Sequence, residues 1–520
     1  MAFIFHKQFL KDLLVALSFV NLCFIRVWTS LTSSENYFFQ ENIPNNADLI
    51  ALILNILIFS TVFFLVMRLF RRTRSPVLRM IFACFFFVIC IIPINFLRIN
   101  LTQINFALFT SLSKFLKALT ILAIFTFTIY TLKFHLNKLL KITYSLLLIF
   151  SPLLLLNIVN ASIKISRNNA IKPALPGKTQ ISESQVILPK QKVILMIYDA
   201  LDYHNLFVSK NKASLPHLTQ FKNQSLFANK AISPSDCTLN SISSYLIGKT
   251  VMKAKTIDAY KLQVLLKGEN EFSYINFSTP NLFQKVKEQG ARTAAIGWHF
   301  PYCKLFGNFI DQCTSLNSGL VSFGSSSKDF LGKMLEHIHS LSPLYRRMYS
   351  VNNFLKFTDQ VGSTLQNNNI DFLYIHWPLP HNPIIFDSQT NKISPFVFSN
   401  DNNLNLKLLD NTLGFHLGAI KENSWKDAIV ILTADHGWGI RPAHEFDWIR
   451  RVPLIIRLPN NMKFEEINLP FNTLLLYELV PKLINKEITT SKEIQYFIQK
   501  NAGIFDEENK ILKATDQIIN

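Results

Sequence analysis

Thr433-Ala434-Asp435-His436-Gly437-Trp438, the TADHGW of residues 433–438, follows the run Ala428-Ile429-Val430-Ile431-Leu432. That run is short, continuous and apolar with β-branched residues, the pattern of a strand buried on both faces. At its end the chain sets a carboxylate beside an imidazole and then Gly437, which permits a sharp exit. Open α/β sheets present ligand-binding residues at the C-terminal ends of their strands. An Asp-His pair there suits a divalent ion with mixed N and O donors, zinc or manganese before calcium. Taken alone, such a dipeptide serves a structural role about as readily.

Working outward, four more runs read as short buried strands: VILMIY (193–198), RTAAIG (292–297), DFLYIHW (371–377) and VPLIIRL (452–458). Between them lie helical stretches. NLFQKVKEQG (281–290) stops at Gly290, and residues 403–420 keep Leu404, Leu408, Leu409, Leu413 and Leu417 on one face. Strands alternating with helices predict an α/β domain with helices on both faces of a largely parallel sheet. This domain is expected over residues 191–520, behind a polar, Pro-containing linker at 161–190.

The first 160 residues are different in kind. Phe residues crowd there, and five apolar runs approach spanning length: about 10–32, 49–70, 77–97, 117–134 and 142–160. Residues 34–48 carry Glu35, Glu41 and Asp48 and no base. Residues 68–79 carry five Arg, and 133–141 carry Lys133, Lys138 and Lys141. The positive-inside rule then places the N-terminus and both basic stretches in the cytoplasm, and the chain after residue 160 outside. A transmembrane domain over 1–160 is therefore expected, with the α/β domain facing the periplasm or exterior. The first run is too long for a signal peptide and lacks an evident cleavage site, so it reads as a retained anchor.

The formal charge of +19 does not point to nucleic acid. Residues 1–160 hold 14 Lys and Arg against 4 Asp and Glu, a net +10 that is mostly topology signal. The remaining +9 is spread without a dense basic block or interleaved aromatics. Cys303 and Cys313 flank a short stretch in the outer part, where an oxidising compartment makes a bridge between them the expectation.

Other strand ends supply the chemistry that TADHGW needs. Asp199 ends VILMIYD as Asp435 ends its own strand, with Asp202 as a competing ligand. SPSDCTLNSISSYLIG (233–248) begins a helix at Thr238, with Asp236 as a candidate N-cap and Gly248 as its stop. A hydroxyl at a helix N-terminus sits in the positive end of the macrodipole, and a metal beside it makes it a nucleophile at neutral pH. HWPLPHNPIIFD (376–387) offers His376 and His381, and the stretch 439–459 brings His444, Arg450 and Arg451. Histidines flanking such a nucleophile bind phosphate oxygens or protonate a leaving group.

In their order and contexts, Asp199, Thr238, His381 and Asp435-His436-His444 resemble the alkaline phosphatase superfamily. Within it, the chain looks like the membrane-anchored sulfatase-like branch that includes bacterial phosphoethanolamine and phosphoglycerol transferases. Thr238-Leu239-Asn240-Ser241 resembles their Thr-x-x-Ser nucleophile segment, His381-Asn382-Pro383 their His-x-Pro loop, and Asp435-His436-Gly437 their metal-binding Asp-His-Gly. His444 occupies the place of a later substrate-site His.

The resemblance implies an alkaline phosphatase/sulfatase-like three-layer α/β/α domain behind about five membrane spans. It implies a divalent metal, zinc first and Mn, Ca or Mg as alternatives, on Asp199, Thr238, Asp435 and His436. Catalytic and substrate roles fall to Thr238, His381 and His444. A second metal stays open, with His299, His376, His381 and Asp410 as candidates. The implied reaction moves a phospholipid headgroup from a membrane donor, through phospho-Thr238, to an envelope glycan or lipid. Hydrolysis of phosphodiesters, phosphomonoesters or sulfate esters is the alternative, and an inactive sensor with the same fold the remaining one.

Two departures bear on the subgroup. Asp199 stands where the transferases usually carry Glu. The sulfatase maturation signal places Pro two and Arg four residues after the modified residue, but Leu239 and Ser241 hold those places after Cys237. Formylglycine at Cys237 is therefore not expected.

Overall fold

The computed structural model describes residues 2–40, 42–97, 113–171, 190–209, 213–316, 329–342, 344–437, 450–459 and 463–502. The chain forms two compact units.

The first unit is helical. It contains α1 (Ala2–Cys23), α2 (Ile25–Thr32), α3 (Asn46–Arg72), α4 (Pro76–Leu97), α5 (Lys114–Ile149) and α6 (Leu153–Ala170). Asn45 and Asp48 close a capping box at the start of α3, and Arg71 and Arg72 sit in its last turn, where the macrodipole favours cations. Among the described residues three helices are long and apolar enough to cross a membrane: Asn46–Arg72, Pro76–Phe96 and Phe134–Ala170. A fourth is added if α1 and α2, bent by 66°, form one span.

Five spans were expected; the three or four found are those among the described residues, and 98–112 lie outside them. The expected basic loop at 133–141 is helix, because nothing in KFHLNKLLK breaks one, and the break falls at Ser151-Pro152 instead. Helix also continues to Ala170, ten residues into the expected linker, whose positions 172–189 lie outside the described residues. The helix Phe330–His339, from the middle of the sequence, belongs to this unit too. Its Lys333 pairs with Asp48, and Asn55 Nδ2 donates to Met334 O (3.0 Å).

The second unit is built on eight strands: β1 (Val193–Asp199), β2 (Leu226–Ala228), β3 (Thr293–Trp298), β4 (Gln312–Leu316), β5 (Phe372–Pro380), β6 (Ile429–Ala434), β7 (Leu454–Arg457) and β8 (Glu465–Ile467). Their order across the sheet is β8-β2-β7-β6-β1-β5-β3-β4. The five from β6 to β4 are parallel, whereas β7 runs antiparallel to β6 and β2 antiparallel to β7. All five strands expected from sequence are present. The short β2, β4 and β8 carry too few apolar residues to show a period.

Every residue of β1 is buried, and alternate positions feed two cores. Val193, Leu195 and Ile197 point to a face covered by α7 (Thr238–Ile247), through Ile242, Tyr245 and Leu246. Ile194, Met196 and Tyr198 point to the opposite face, covered by α8 (Tyr345–Leu365) and α9 (Asn403–Lys421) through residues such as Phe357 and Leu409. Helix, sheet and helix make the expected three layers. Cys303 and Cys313 form the expected disulfide.

Candidate functional site

Strand register decides what meets at the sheet edge. Tyr198 pairs with Ala434 across β1 and β6, so the next residues, Asp199 and Asp435, lie side by side and point to one face. Ile197 pairs with His376 across β1 and β5, which puts His376 on that face as well. It is the face over which α7 lies, with Thr238 as its first residue. Cys237 is the N-cap of α7 and makes no side-chain cap bond, so the expected cap at Asp236 is not formed. Two other contacts fix the helix end: Tyr245 donates its hydroxyl to Ala434 O (3.0 Å), and Ser241 Oγ donates to Ser235 O (3.0 Å). Arg450 Nη2 donates to Ser233 O (2.7 Å) and Pro234 O (3.1 Å), bracing the loop ahead of Thr238 from the far side.

Asp199, Asp435 and His436 each bring a ligand atom to within 4.8 Å of the others. Thr238 Oγ1 lies 3.1 Å from His436 Nε2 and 3.4 Å from Asp199 Oδ1. His436 Nδ1 donates to Gly437 O (2.6 Å), which leaves Nε2 as the atom facing Thr238 and both carboxylates. Asp435 Oδ1 accepts from the backbone N–H of Ala200 (2.9 Å) and of His436 (2.7 Å). Four of the residues read from sequence, Asp199, Thr238, Asp435 and His436, are therefore together. His381 stands beside them in a pocket it shares with Trp298. His444 lies outside the described residues.

The electrostatics are those of anions forced into a dry corner. Burial opposes ionisation of Asp199, but His381, His436, His376 and His299 outweigh it and hold the carboxyl down at about 2. Asp435, fully buried, is pushed up by burial to about 6. Burial would lower His436, yet Asp435 and Asp199 raise it above its ordinary value. Asp199 is thus the carboxylate most firmly held ionised, while Asp435 and His436 each raise or lower the other's proton affinity across a short distance. His376 and His299 are both held near 4 by burial and are neutral at physiological pH.

These residues fit a divalent cation. Asp435 Oδ2 and His376 Nε2 are buried with no hydrogen-bond partner and lie 3.9 Å apart. Groups of that kind are costly unless something pairs with them, and a hard carboxylate pair with an imidazole is a donor set for Zn²⁺ or Mn²⁺.

Two residues here were not singled out from the sequence as site residues. Trp298 Nε1–H donates to Asp199 Oδ2 (2.7 Å) from the end of β3. Tyr302 holds His376 Nδ1 through its hydroxyl (2.9 Å). Both follow the strand RTAAIG, and only the sheet order, which puts β3 next to β5, reveals where they point. Asp410, a candidate for a second metal, instead caps the helix Pro216–Asn223 by accepting from His217 N (3.3 Å) and Leu218 N (2.7 Å). Asp202 likewise accepts from Asn205 N (2.8 Å).

No curated protein matches the chain. Among solved structures, it is similar to Ps i-CgsB in complex with k-i-k-neocarrahexaose, at 16% identity over 59% of this chain and 74% of that one, TM-score 0.42. A phosphonate monoester hydrolase from Silicibacter pomeroyi gives 15% identity over 57% and 73%, TM-score 0.37. A protein of the alkaline phosphatase superfamily from Vibrio parahaemolyticus gives 15% over 57% and 67%, TM-score 0.39. The family model described as Sulfatase matches residues 191–473, more than half of the chain and the span that contains Asp199, Thr238, Asp435 and His436. The chain therefore belongs to the sulfatase family, as a sulfatase-like enzyme.

Proposed function

We propose that the protein transfers a phospholipid headgroup phosphate, phosphoethanolamine-like, to an envelope glycan or lipid, through a covalent ester on Thr238. The observation that carries the reading is the position of Thr238 Oγ1, 3.1 Å from His436 Nε2 and 3.4 Å from Asp199 Oδ1, at the N-terminus of a ten-residue helix. Asp199, Asp435 and His436, with Thr238, would hold a divalent cation. That cation supplies a lowered pKa for a neighbouring hydroxyl and positive charge for the phosphoryl oxygens.

The chain's own groups do the rest. Asp199 Oδ1 and His436 Nε2 fix the Thr238 hydroxyl in place, and its proton passes to solvent as Oγ1 attacks phosphorus. The P–O bond to diacylglycerol breaks, and the lipid alcohol leaves with a proton, which His381 at the rim is placed to deliver. The N-terminus of α7, at Thr238, supplies the positive end of a helix dipole for the phosphoryl oxygens. In the second half an acceptor hydroxyl attacks the phospho-Thr ester, gives up its proton, and Thr238 is regenerated protonated. The apolar N-terminal helices favour a lipid donor, because a membrane anchor confines the site to the headgroup layer. The five crossings expected from the sequence, with their basic stretches in the cytoplasm, support an outward-facing site in an inner membrane.

A hydrolase reading, with water as acceptor, is favoured by one feature: Asp199, rather than Glu, at the first metal position. A sulfatase route through Cys237 is not supported. Leu239 and Ser241 replace the Pro and Arg of the maturation signal.

The test is intact mass of the full-length, metal-loaded protein after incubation with phosphatidylethanolamine or phosphatidylglycerol. The expected result is an adduct of headgroup-phosphate mass that maps to Thr238 and is absent, along with turnover, in Thr238→Ala. An adduct that persists in that variant would remove Thr238 as the nucleophile. A free headgroup phosphate formed without any acceptor product would establish the hydrolase.

A further inference from the structure

The helical unit holds a cavity of about 460 Å³ between α1, α3, α4 and α5, far in sequence from any site residue. Its floor is apolar, with Phe63, Phe82 and Phe86 among the lining side chains. Its polar end carries three cations, Arg71, Arg79 and Lys141, and among the described residues no carboxylate lines it. A nearby acid, Asp12, is buried and already engaged. It pairs with Arg71 (2.7 Å) and accepts from Tyr144 Oη (2.8 Å) and Gln8 Nε2 (2.9 Å). Asp12 thus offsets Arg71 at most. Arg79 meets a neutral partner, Asn137 Oδ1 (3.5 Å), and the ring of Phe70, so its charge is not offset.

We infer that this cavity is a binding site for an anionic phospholipid, with an acyl chain on the aromatic floor and the headgroup phosphate between Arg71, Arg79 and Lys141. An apolar slot explains occupancy by any lipid. Two uncompensated cations at its mouth explain selection for a net negative headgroup. The basic stretches that supply them, 68–79 and 133–141, are those the positive-inside rule assigns to the cytoplasmic side. The lipid here is therefore a resident of the inner leaflet and not the donor of the proposed reaction, and this inference stands whether or not that reaction is correct.

Native mass spectrometry of the full-length protein in mild detergent tests it, with phosphatidylglycerol and phosphatidylethanolamine of identical chains as probes. Both cations are exposed, so the double variant Arg79→Gln/Lys141→Gln leaves the packing of the helices unchanged. Phosphatidylglycerol is expected to be retained more tightly than phosphatidylethanolamine. The double variant should lose that preference about thirtyfold, roughly fivefold per cation. Ala83, buried in the lining, gives an independent arm: Ala83→Phe fills the slot and should lower retention of both lipids. Equal retention of the two lipids by the wild type, an unchanged preference in the double variant, or a lipid-free dimer as the bound species would each overturn the inference.

Discussion

Replacing Trp298 by Phe removes one hydrogen-bond donor from the site while keeping an aromatic ring there. The indole N–H donates to Asp199 Oδ2 at 2.7 Å, while Oδ1 faces Thr238 and His436. Asp199 is 2% exposed, so little water can replace the lost donor. A hydrogen bond to a charged, buried acceptor contributes about 1.5–3 kcal/mol. The Phe variant should therefore hold its carboxylate less firmly and bind a divalent cation about 10–100-fold more weakly, the range seen when outer-shell partners of metal ligands are removed. The assay is competition for Zn²⁺ or Mn²⁺ against a chromophoric chelator, run beside a thermal melt at saturating metal. The two readouts separate a local from a global effect. A loss of affinity with a melt restored by metal supports the reasoning, and Trp298→Phe with wild-type affinity would refute the view that the indole positions Asp199.

Two further variants probe parts of the fold away from the metal ligands. Asp410→Ala should lower stability by about 1–3 kcal/mol, because two N–H groups at the start of a helix lose a charged acceptor, while metal stoichiometry stays unchanged; a lost metal equivalent would return Asp410 to the list of ligands. His416 is buried beside Trp377 with neither ring nitrogen partnered, and burial holds its pKa at about 4 against 6.5 when exposed. The folded value is the depressed one, so its contribution is complete above pH 6.5 and is lost as pH falls from 6.5 toward 4. At the full shift this amounts to about 3 kcal/mol. His416→Phe should flatten the fall in Tm across that window, and an unchanged slope would assign the acid sensitivity to other groups.

What could be read from the sequence were the residues at the ends of strongly apolar strands. Asp199 and Asp435 each terminate a run too hydrophobic to be anything but a central strand, and a parallel sheet must bring such ends to one edge. Thr238 was legible because a hydroxyl stood at a helix start closed by Gly248, whose φ of +71° is the left-handed stop that glycine favours. The helix ends within the apolar region were less legible. Apolar length and Lys clusters mark where a chain tends to cross, but the helix itself ends only where the backbone is interrupted, at Pro152 and not at Lys133–Lys141.

His376 shows why the rest of the site needed the fold. In DFLYIHW it sits inside a buried strand, where a histidine carries no sign of which face it occupies. Its meaning depends on register: one residue's shift against β1 would turn it into the core with Trp377, away from Asp435. Trp298 and Tyr302 depend on one step more, since they approach the site only because β3 lies next to β5, two strands separated by more than seventy residues of sequence. Chemistry that rests on a strand's end is local and can be read from the chain. The supports that orient that chemistry come from neighbours in the sheet, and strand order is the property a single sequence encodes least directly. It follows that variants at Trp298 and Tyr302 test the assembled site, whereas variants at Asp199 and Asp435 test only the motif.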